Sequence, residues 1–257
     1  MSDSIVAVIQ ARMDSTRLPG KSLEMIGEWS LIEMVLRRVN QASKIEKVVL
    51  ATSTNVKDDI LEEHVLNLEF PVFRGSEEDV LSRFYNASKK FEPSVVVRIT
   101  GDCPLISPML IDYAINMFTE SQVDYLSLSI GEDKKTAYPR GFDVEVANFN
   151  SLTEAVENAS EPYEREHVMP YLYTHPDSFT TAYLEPEPEF SRPRYRLCVD
   201  TEQDLKLILR IFDFFKGRLI DADYQELIHF LDNNPEVANL NQSVKQKHFK
   251  EVETGPE

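Results

Sequence analysis

Ile5-Val6-Ala7-Val8-Ile9 runs directly into Gln10-Ala11-Arg12-Met13-Asp14-Ser15-Thr16-Arg17-Leu18-Pro19-Gly20-Lys21. The first run spells a short buried strand. The second is a loop carrying the cations Arg12, Arg17 and Lys21, the hydroxyls Ser15 and Thr16, and a Pro-Gly turn. An amphipathic helix is predicted from about Ser30. A strand that ends in a basic, hydroxyl-bearing loop at the carboxyl edge of an α/β sheet is where phosphate groups bind, because fixed positive charge and backbone N–H groups meet there.

Working outward, the same alternation repeats. Lys47–Ala51 reads as a strand, Lys57–Leu68 as a helix, Pro71–Phe73 as a short strand and Glu78–Lys90 as a helix. Ser94–Ile99 is a third strong strand ending at Thr100-Gly101-Asp102, and Pro108–Phe118 is a helix with proline in its first turn. This predicts a Rossmann-like α/β fold, a mostly parallel sheet flanked by helices on both faces. After Asp124 the pattern changes. Tyr125–Ser129 and Phe142–Val146 read as paired strands of a small inserted β arm (125–146) that pairs across a two-fold axis in a homodimer. Helical periodicity returns at Phe149–Asn158 and Glu164–Tyr173. Phe179–Leu184 and Arg194–Val199 read as strands, Glu202–Phe215 and Asp223–Leu231 as helices. The expected organisation is one domain over 1–245, with a polar tail over 246–257.

The net charge of −17 sets a background against which the basic loop stands out. Such a surface repels nucleic acid and anionic membrane over long range, so a small phosphorylated ligand fits where a polynucleotide does not. No run approaches the roughly 20 apolar residues of a membrane span. Met1-Ser2-Asp3-Ser4 lacks the basic start of a secretory signal, and the two cysteines, Cys103 and Cys198, read as free thiols, so the chain is expected to be cytoplasmic.

Four places carry candidate chemistry. In the loop, Arg12, Arg17 and Lys21 can neutralise much of a triphosphate, Arg by a planar fork suited to phosphate oxygens. Gly20-Lys21-Ser22 matches the end of a Walker A loop. Ser15 stands where that motif has its first glycine, and Pro19 removes an N–H, which argues against a P-loop enzyme. Asp102, after a buried strand and Gly101, is placed either to hold Mg²⁺ or to cap its own turn. Asp200, in Val199-Asp200-Thr201-Glu202, is a second metal ligand if the two chain segments converge, and otherwise a cap for the next helix. His167, in Tyr163-Glu164-Arg165-Glu166-His167, is a general base, a substrate contact or a surface hydrogen-bonding residue.

These residues also carry a resemblance. Gln10-Ala11-Arg12-Met13-Asp14-Ser15-Thr16-Arg17-Leu18-Pro19-Gly20-Lys21 resembles the nucleotide-binding loop of the sugar-acid cytidylyltransferases, such as the synthetases of CMP-KDO and CMP-sialic acid. Gly101-Asp102-Cys103-Pro104-Leu105 looks like their metal-binding turn, and Val199-Asp200-Thr201 with Asp204-Leu205 like their second acidic turn. Tyr138-Pro139-Arg140-Gly141 and Arg165-Glu166-His167-Val168 resemble the branch named for the spore coat polysaccharide protein SpsF. The likeness spans about Ile5 to Leu209, with gaps. It implies a Mg²⁺-dependent enzyme that takes CTP and a sugar or sugar-acid acceptor. By the same resemblance Arg12, Arg17 and Lys21 hold the triphosphate and Asp102 and Asp200 the metal. Gln10, Ala11, Ser15, Thr52, Ser53, Thr100 and Gly101 complete the nucleotide site, and Arg140, Asp143, Arg165 and His167 face the acceptor. Gln10 stands where makers of CMP-KDO typically have proline, and Thr52-Ser53-Thr54 where they carry an acidic residue, so the resemblance leaves the identity of the acceptor open even if the fold is shared. The rival readings are a glycosyltransferase of the same fold, whose Asp-x-Asp would be Asp221-Ala222-Asp223, and a nucleotide-binding module without catalysis.

Overall fold

The computed structural model describes residues 4–128 and 137–246. β1 (Ile5–Gln10) lies inside a seven-stranded sheet, its apolar side chains covered on both faces. A short hairpin follows, β2 (Met25–Ile26) and β3 (Trp29–Ser30), closing at Gly27 with φ 68°. α1 (Leu31–Asn40) starts where the Ser30 side chain accepts the Glu33 N–H. Then come β4 (Lys47–Ser53), α2 (Asp59–Asn67), β5 (Val72–Gly75), α3 (Val80–Lys89) capped by Asp79, β6 (Val95–Thr100) and α4 (Pro108–Ser121) capped by Ser107. The second half adds β7 (Tyr125–Ser127), β8 (Glu145–Asn148), α5 (Phe149–Asn158), α6 (Pro162–His167), α7 (Pro170–Thr174) and β9 (Thr181–Tyr183). α8 (Glu202–Phe215), α9 (Tyr224–Asn233) and α10 (Pro235–Ala238) close the chain.

The strand order is β5-β4-β1-β6-β8-β7-β9. β5, β4, β1 and β6 are mutually parallel, and β8 alone of the sheet's strands runs against its neighbours. The expected mostly parallel α/β sheet is therefore present. Alternation divides its side chains between two cores. Ala7 and Ile9 join α1, α4, α8 and α9 on one face, while Val6 and Val8 join α3, α5 and α7 on the other. The carboxyl ends of β4, β1 and β6 lie side by side, and the loop after β1 crosses all three.

Three expectations are corrected, and one element is new. The strands read as an inserted arm are members of the main sheet: β8 pairs with β6 on one side and β7 on the other, because Val146 and Ala147 are apolar and buried on opposite faces. Residues 129–136 of the connection between them lie outside the described residues, as does the tail beyond 246. Arg194–Val199 makes no strand, only a bridge between Arg196 and Arg140. Its Leu197 and Val199 N–H groups go to the Arg140 and Asp102 carbonyls instead. The helix expected over Glu164–Tyr173 is two helices, because Pro170 cannot continue the ladder and Val168 takes φ 73°. The hairpin β2–β3, signalled by Gly27, was not expected at all.

Candidate active site

The loop is shaped by its own backbone before any ligand enters. The Met13 carbonyl accepts the Ser15 and Gly20 N–H groups at 3.1 and 3.0 Å, and Ser22 Oγ donates to the Arg12 carbonyl at 3.2 Å. Gly20 has φ 77°, a conformation glycine adopts without strain. At the β4 end the loop is pinned by Asp58, a carboxylate 1% exposed. Its Oδ1 accepts the Met13 N–H at 2.7 Å, and its Oδ2 accepts the Ser53 N–H at 3.1 Å and the Ser53 hydroxyl. Ser53 thus sits on the loop's side of the sheet. Strand alternation sends its neighbour Thr52 to the opposite face, and both side chains are fully buried.

At the β6 end the loop meets two carboxylates. Lys21 Nζ donates to the Val199 carbonyl at 2.7 Å and to Asp200 Oδ1 at 2.8 Å, and lies 3.4 Å from Asp102 Oδ2. Arg17 Nη2 is 2.9 Å from Asp200 Oδ2, and Arg196 Nη2 holds the same oxygen at 2.5 Å. The two acidic turns therefore converge. Asp200 is not the helix cap: Thr201 accepts the Asp204 N–H, and Asp204 reaches back to the Thr201 and Asp200 N–H groups. That capping box leaves the Asp200 carboxylate to face the loop. Burial raises the Asp102 pKa, but the Lys21 charge and hydrogen bonds from Thr100, Cys103 and Lys21 outweigh it and hold it at about 2. Asp102 is thus ionised at neutral pH.

Gly101 allows this end to form. A Cβ there would lie 2.7 Å from both the Gln10 carbonyl and the Ala11 Cβ, and the Gly101 N–H already donates to that carbonyl at 2.8 Å. Thr100 Oγ1 lies 3.1 Å from Cys103 Sγ. Burial pushes the thiols of Cys103 and Cys198 well up, so both stay protonated, and both are free. Arg140 is held charged by Asp143, whose Oδ2 accepts the Gly141 N–H at 2.9 Å, and Asp143 also bears electrostatically on both thiols. Gly141 has φ 105°, and a Cβ there would sit 2.7 Å from the Leu197 carbonyl carbon. Gly141→Ala is expected to lower stability by about 2–4 kcal/mol, from the left-handed backbone and the backbone clash together. Denaturant unfolding checks this; a loss under 0.5 kcal/mol, within the ordinary surface range of about ±0.5, counts against it.

The acceptor-side candidates divide. Arg165 bonds the Val156 and Ala159 carbonyls and lies 3.3 Å from Asp79, so its guanidinium ties α5 to the start of α3 rather than reaching into the site. His167 ends α6 immediately before Val168, a β-branched residue with φ 73° and ψ −59°. The Met169 N–H donates to the His167 carbonyl at 2.9 Å, closing a γ-turn of the strained, positive-φ kind.

Sequence reading passed over three groups. Asp58 looked like part of a helix start. Arg83 on α3 is 3% exposed, with Nη1 on the Ser76 and Glu77 carbonyls and no hydrogen bond at Nε; burial first and the nearby Arg12 charge second bring it down to about 10. The third is a polar chain across the sheet. Gln10 Oε1 accepts from Arg98 Nε at 2.5 Å, Arg98 Nη1 pairs with Glu145 Oε2, and Tyr125 OH donates to Glu145 Oε1 at 2.6 Å. The rings of Tyr173 and Tyr183 pack on Tyr125 at 5.7 and 6.4 Å. A signal existed: Arg98 interrupts Val95-Val96-Val97-Arg98-Ile99, and Glu145 stands between Val144 and Val146.

The sequence profile of the cytidylyltransferase family matches residues 6–247. The chain belongs to the cytidylyltransferase family. It is 38% identical over 241 residues to the spore coat polysaccharide biosynthesis protein SpsF of Bacillus subtilis, covering 92% of this chain and 97% of that one. A cytidylyltransferase structure from Leptospira borgpetersenii superposes with a TM-score of 0.85 at 30% identity, over 96% of this chain and all of that one. A synthetase of CMP and 2-keto-3-deoxy-manno-octonic acid, solved in complex with CTP, shares the fold at a TM-score of 0.60 and 18% identity, over 82% of this chain and 98% of that one. No helix among the described residues is long and apolar enough to cross a membrane.

Proposed function

We infer that this cytidylyltransferase transfers CMP from CTP to an oxygen of a sugar or sugar acid, with release of pyrophosphate, in surface polysaccharide or glycan biosynthesis. The observation that carries the reading is the convergence of Asp102 and Asp200 on the Lys21 ammonium, with Arg17 beside them. The SpsF relative is named for spore coat polysaccharide biosynthesis, and the distant synthetase was solved with CTP, which support the same substrate class.

The acceptor oxygen attacks the α-phosphorus, the bond to the bridging oxygen breaks, and pyrophosphate leaves with that oxygen. Arg12, Arg17 and Lys21 bind the departing phosphates and, once seated on them, need not reorganise as the bond breaks. Ser53 and Asp58 mark the end of the loop away from the two carboxylates, where the nucleoside is placed. Arg140, Asp143 and His167, with the Gln10–Arg98–Glu145 chain, orient the acceptor. Asp102 and Asp200 fit a hard divalent cation such as Mg²⁺: they offer carboxylate oxygens and already gather a cationic group. Bound there, Mg²⁺ supplies positive charge to the phosphate oxygens.

The glycosyltransferase reading has less support. Asp223 of Asp221-Ala222-Asp223 is engaged in capping α9 through the Glu226 N–H at 2.7 Å, and Asp221 takes the Gln41 amide at 3.0 Å. The test is melting temperature with CTP, UTP, GTP and ATP, each with and without Mg²⁺, on wild type and Asp102→Ala. A ligand at about 100 times its Kd adds about 2.7 kcal/mol, roughly 5–10 °C for a chain of this size. The expected result is a Mg²⁺-dependent shift with CTP that Asp102→Ala loses, followed by pyrophosphate release once an acceptor is supplied. A shift with another nucleotide alone overturns the base assignment, and CTP binding without release under any acceptor supports the non-catalytic module.

A further inference from the structure

The groups assigned to phosphate and to metal are bound to each other. Lys21 Nζ has three donors, and three oxygens surround it: the Val199 carbonyl at 2.7 Å, Asp200 Oδ1 at 2.8 Å and Asp102 Oδ2 at 3.4 Å. None is left for a phosphate. Arg17 closes on the other Asp200 oxygen at 2.9 Å. The third cation on Asp200, Arg196, differs from these two. Its Nε bonds Asp204 Oδ1 at 3.0 Å, its Nη1 bonds Gln246, and Asp204 is itself fully buried and held by Asn241 at 2.7 Å. Arg196 is a fixed countercharge built into the base of α8, whereas Lys21 and Arg17 come from a loop.

We propose that the Lys21 ammonium stands in the place of the divalent cation, and that metal and nucleotide enter by an exchange of partners. Lys21 and Arg17 move from the carboxylates to the phosphates, and the carboxylates turn to the metal. This rests on the cytidyl-transfer reading above and adds a rule of assembly to it. Metal alone has to compete with an ammonium already seated on both carboxylates. Triphosphate alone draws Lys21 and Arg17 away and leaves Asp102 and Asp200 facing further negative charge. Either ligand therefore binds weakly without the other. Together they keep the site near neutrality, so their binding is positively coupled, on the order of 10- to 100-fold and equal in both directions. The enzyme thereby avoids holding a free divalent cation and takes it up with its nucleotide.

The discriminating measurement is Mn²⁺ binding without nucleotide, by titration calorimetry or by the loss of free Mn²⁺ signal in electron paramagnetic resonance. Lys21→Met is expected to bind Mn²⁺ at least tenfold more tightly than wild type, and to lose that gain when Asp102→Asn is added. Its melting temperature should fall below wild type and be restored by Mn²⁺, which leaves the wild-type value unchanged. Should Lys21→Met not fold, Lys21→Gln keeps a donor toward Val199 while removing the charge, and the same gain is expected. Equal or weaker Mn²⁺ binding in the folded Lys21 variant overturns the proposal, as does a gain that survives Asp102→Asn or tight Mn²⁺ binding by wild type alone. The cytidyl-transfer reading fails separately, if wild type shows no metal-dependent stabilisation by CTP.

Discussion

Lys21→Ala is expected to lower kcat for pyrophosphate release by about 10²–10³, or roughly 3–4 kcal/mol of transition-state stabilisation. The argument is one of preorganisation. Lys21 opens a 3₁₀ turn whose approach is set by Gly20, and its ammonium lies in a gap between the ends of β6 and α8. Charge develops on the leaving pyrophosphate as the bond to the α-phosphorus breaks. A cation already seated on the phosphates of the bound nucleotide stabilises that charge more than water does, since it need not reorient as the bond breaks. Alanine removes the cation and leaves the loop's backbone bonds to the Met13 carbonyl intact. The loss should therefore appear in kcat more than in the KM for the acceptor, with the far-ultraviolet spectrum unchanged. Turnover within threefold of wild type would falsify this role for Lys21.

Arg38→Met is expected to act on stability instead, by about 3–5 kcal/mol, with activity retained below the lowered melting temperature. Arg38 is on α1 and fully buried, yet its partners are carbonyls and not carboxylates. Nε donates to Ile106 at 2.7 Å, Nη1 to Leu219 at 2.7 Å and Ile220 at 2.9 Å, and Nη2 to Ala222 at 2.6 Å. These carbonyls belong to the turn before α4 and the turn between α8 and α9, so one side chain joins three segments of the first core. Burial brings its pKa down to about 10, against the opposing pull of Asp221 and Asp223, and it stays charged at neutral pH. Methionine fills similar volume and escapes the desolvation of a guanidinium, but strands four carbonyls, each costing about 1–3 kcal/mol if left without a donor. The expected fall in melting temperature is roughly 6–20 °C. A change under 1 kcal/mol in denaturant unfolding, the low end of the range for one unsatisfied carbonyl at about 1–3, would show that water reaches these groups.

The two variants illustrate what can be read from one chain without coordinates. Lys21 was visible as a candidate because it follows an apolar strand in a basic loop, a local pattern. Arg38 was not, because in sequence it is an ordinary charged residue late in an amphipathic helix. Its burial depends on carbonyls up to 184 residues away. The same division runs through the site. Arg17 and Asp102 stand out locally, whereas Asp58 reads as part of a helix start until it is seen holding the Met13 N–H across 45 residues. Arg165, which the sequence offers as an acceptor contact, is engaged instead by the end of α5, through carbonyls six and nine residues away.

Local periodicity and turn chemistry determined the mostly parallel sheet, the succession of β1, β4, β5 and β6 with their helices along the chain, and the loop that marks the site. Those features follow from interactions between residues a few positions apart, which leave a repeating trace in the sequence. Tertiary structure alone decided that β8 enters the sheet between β6 and β7, that Arg194–Val199 bonds loops rather than strands, and that Asp200 meets Lys21 across 179 residues. Each depends on which distant partner satisfies a backbone group or a charge, and a contact of that range leaves no period to read.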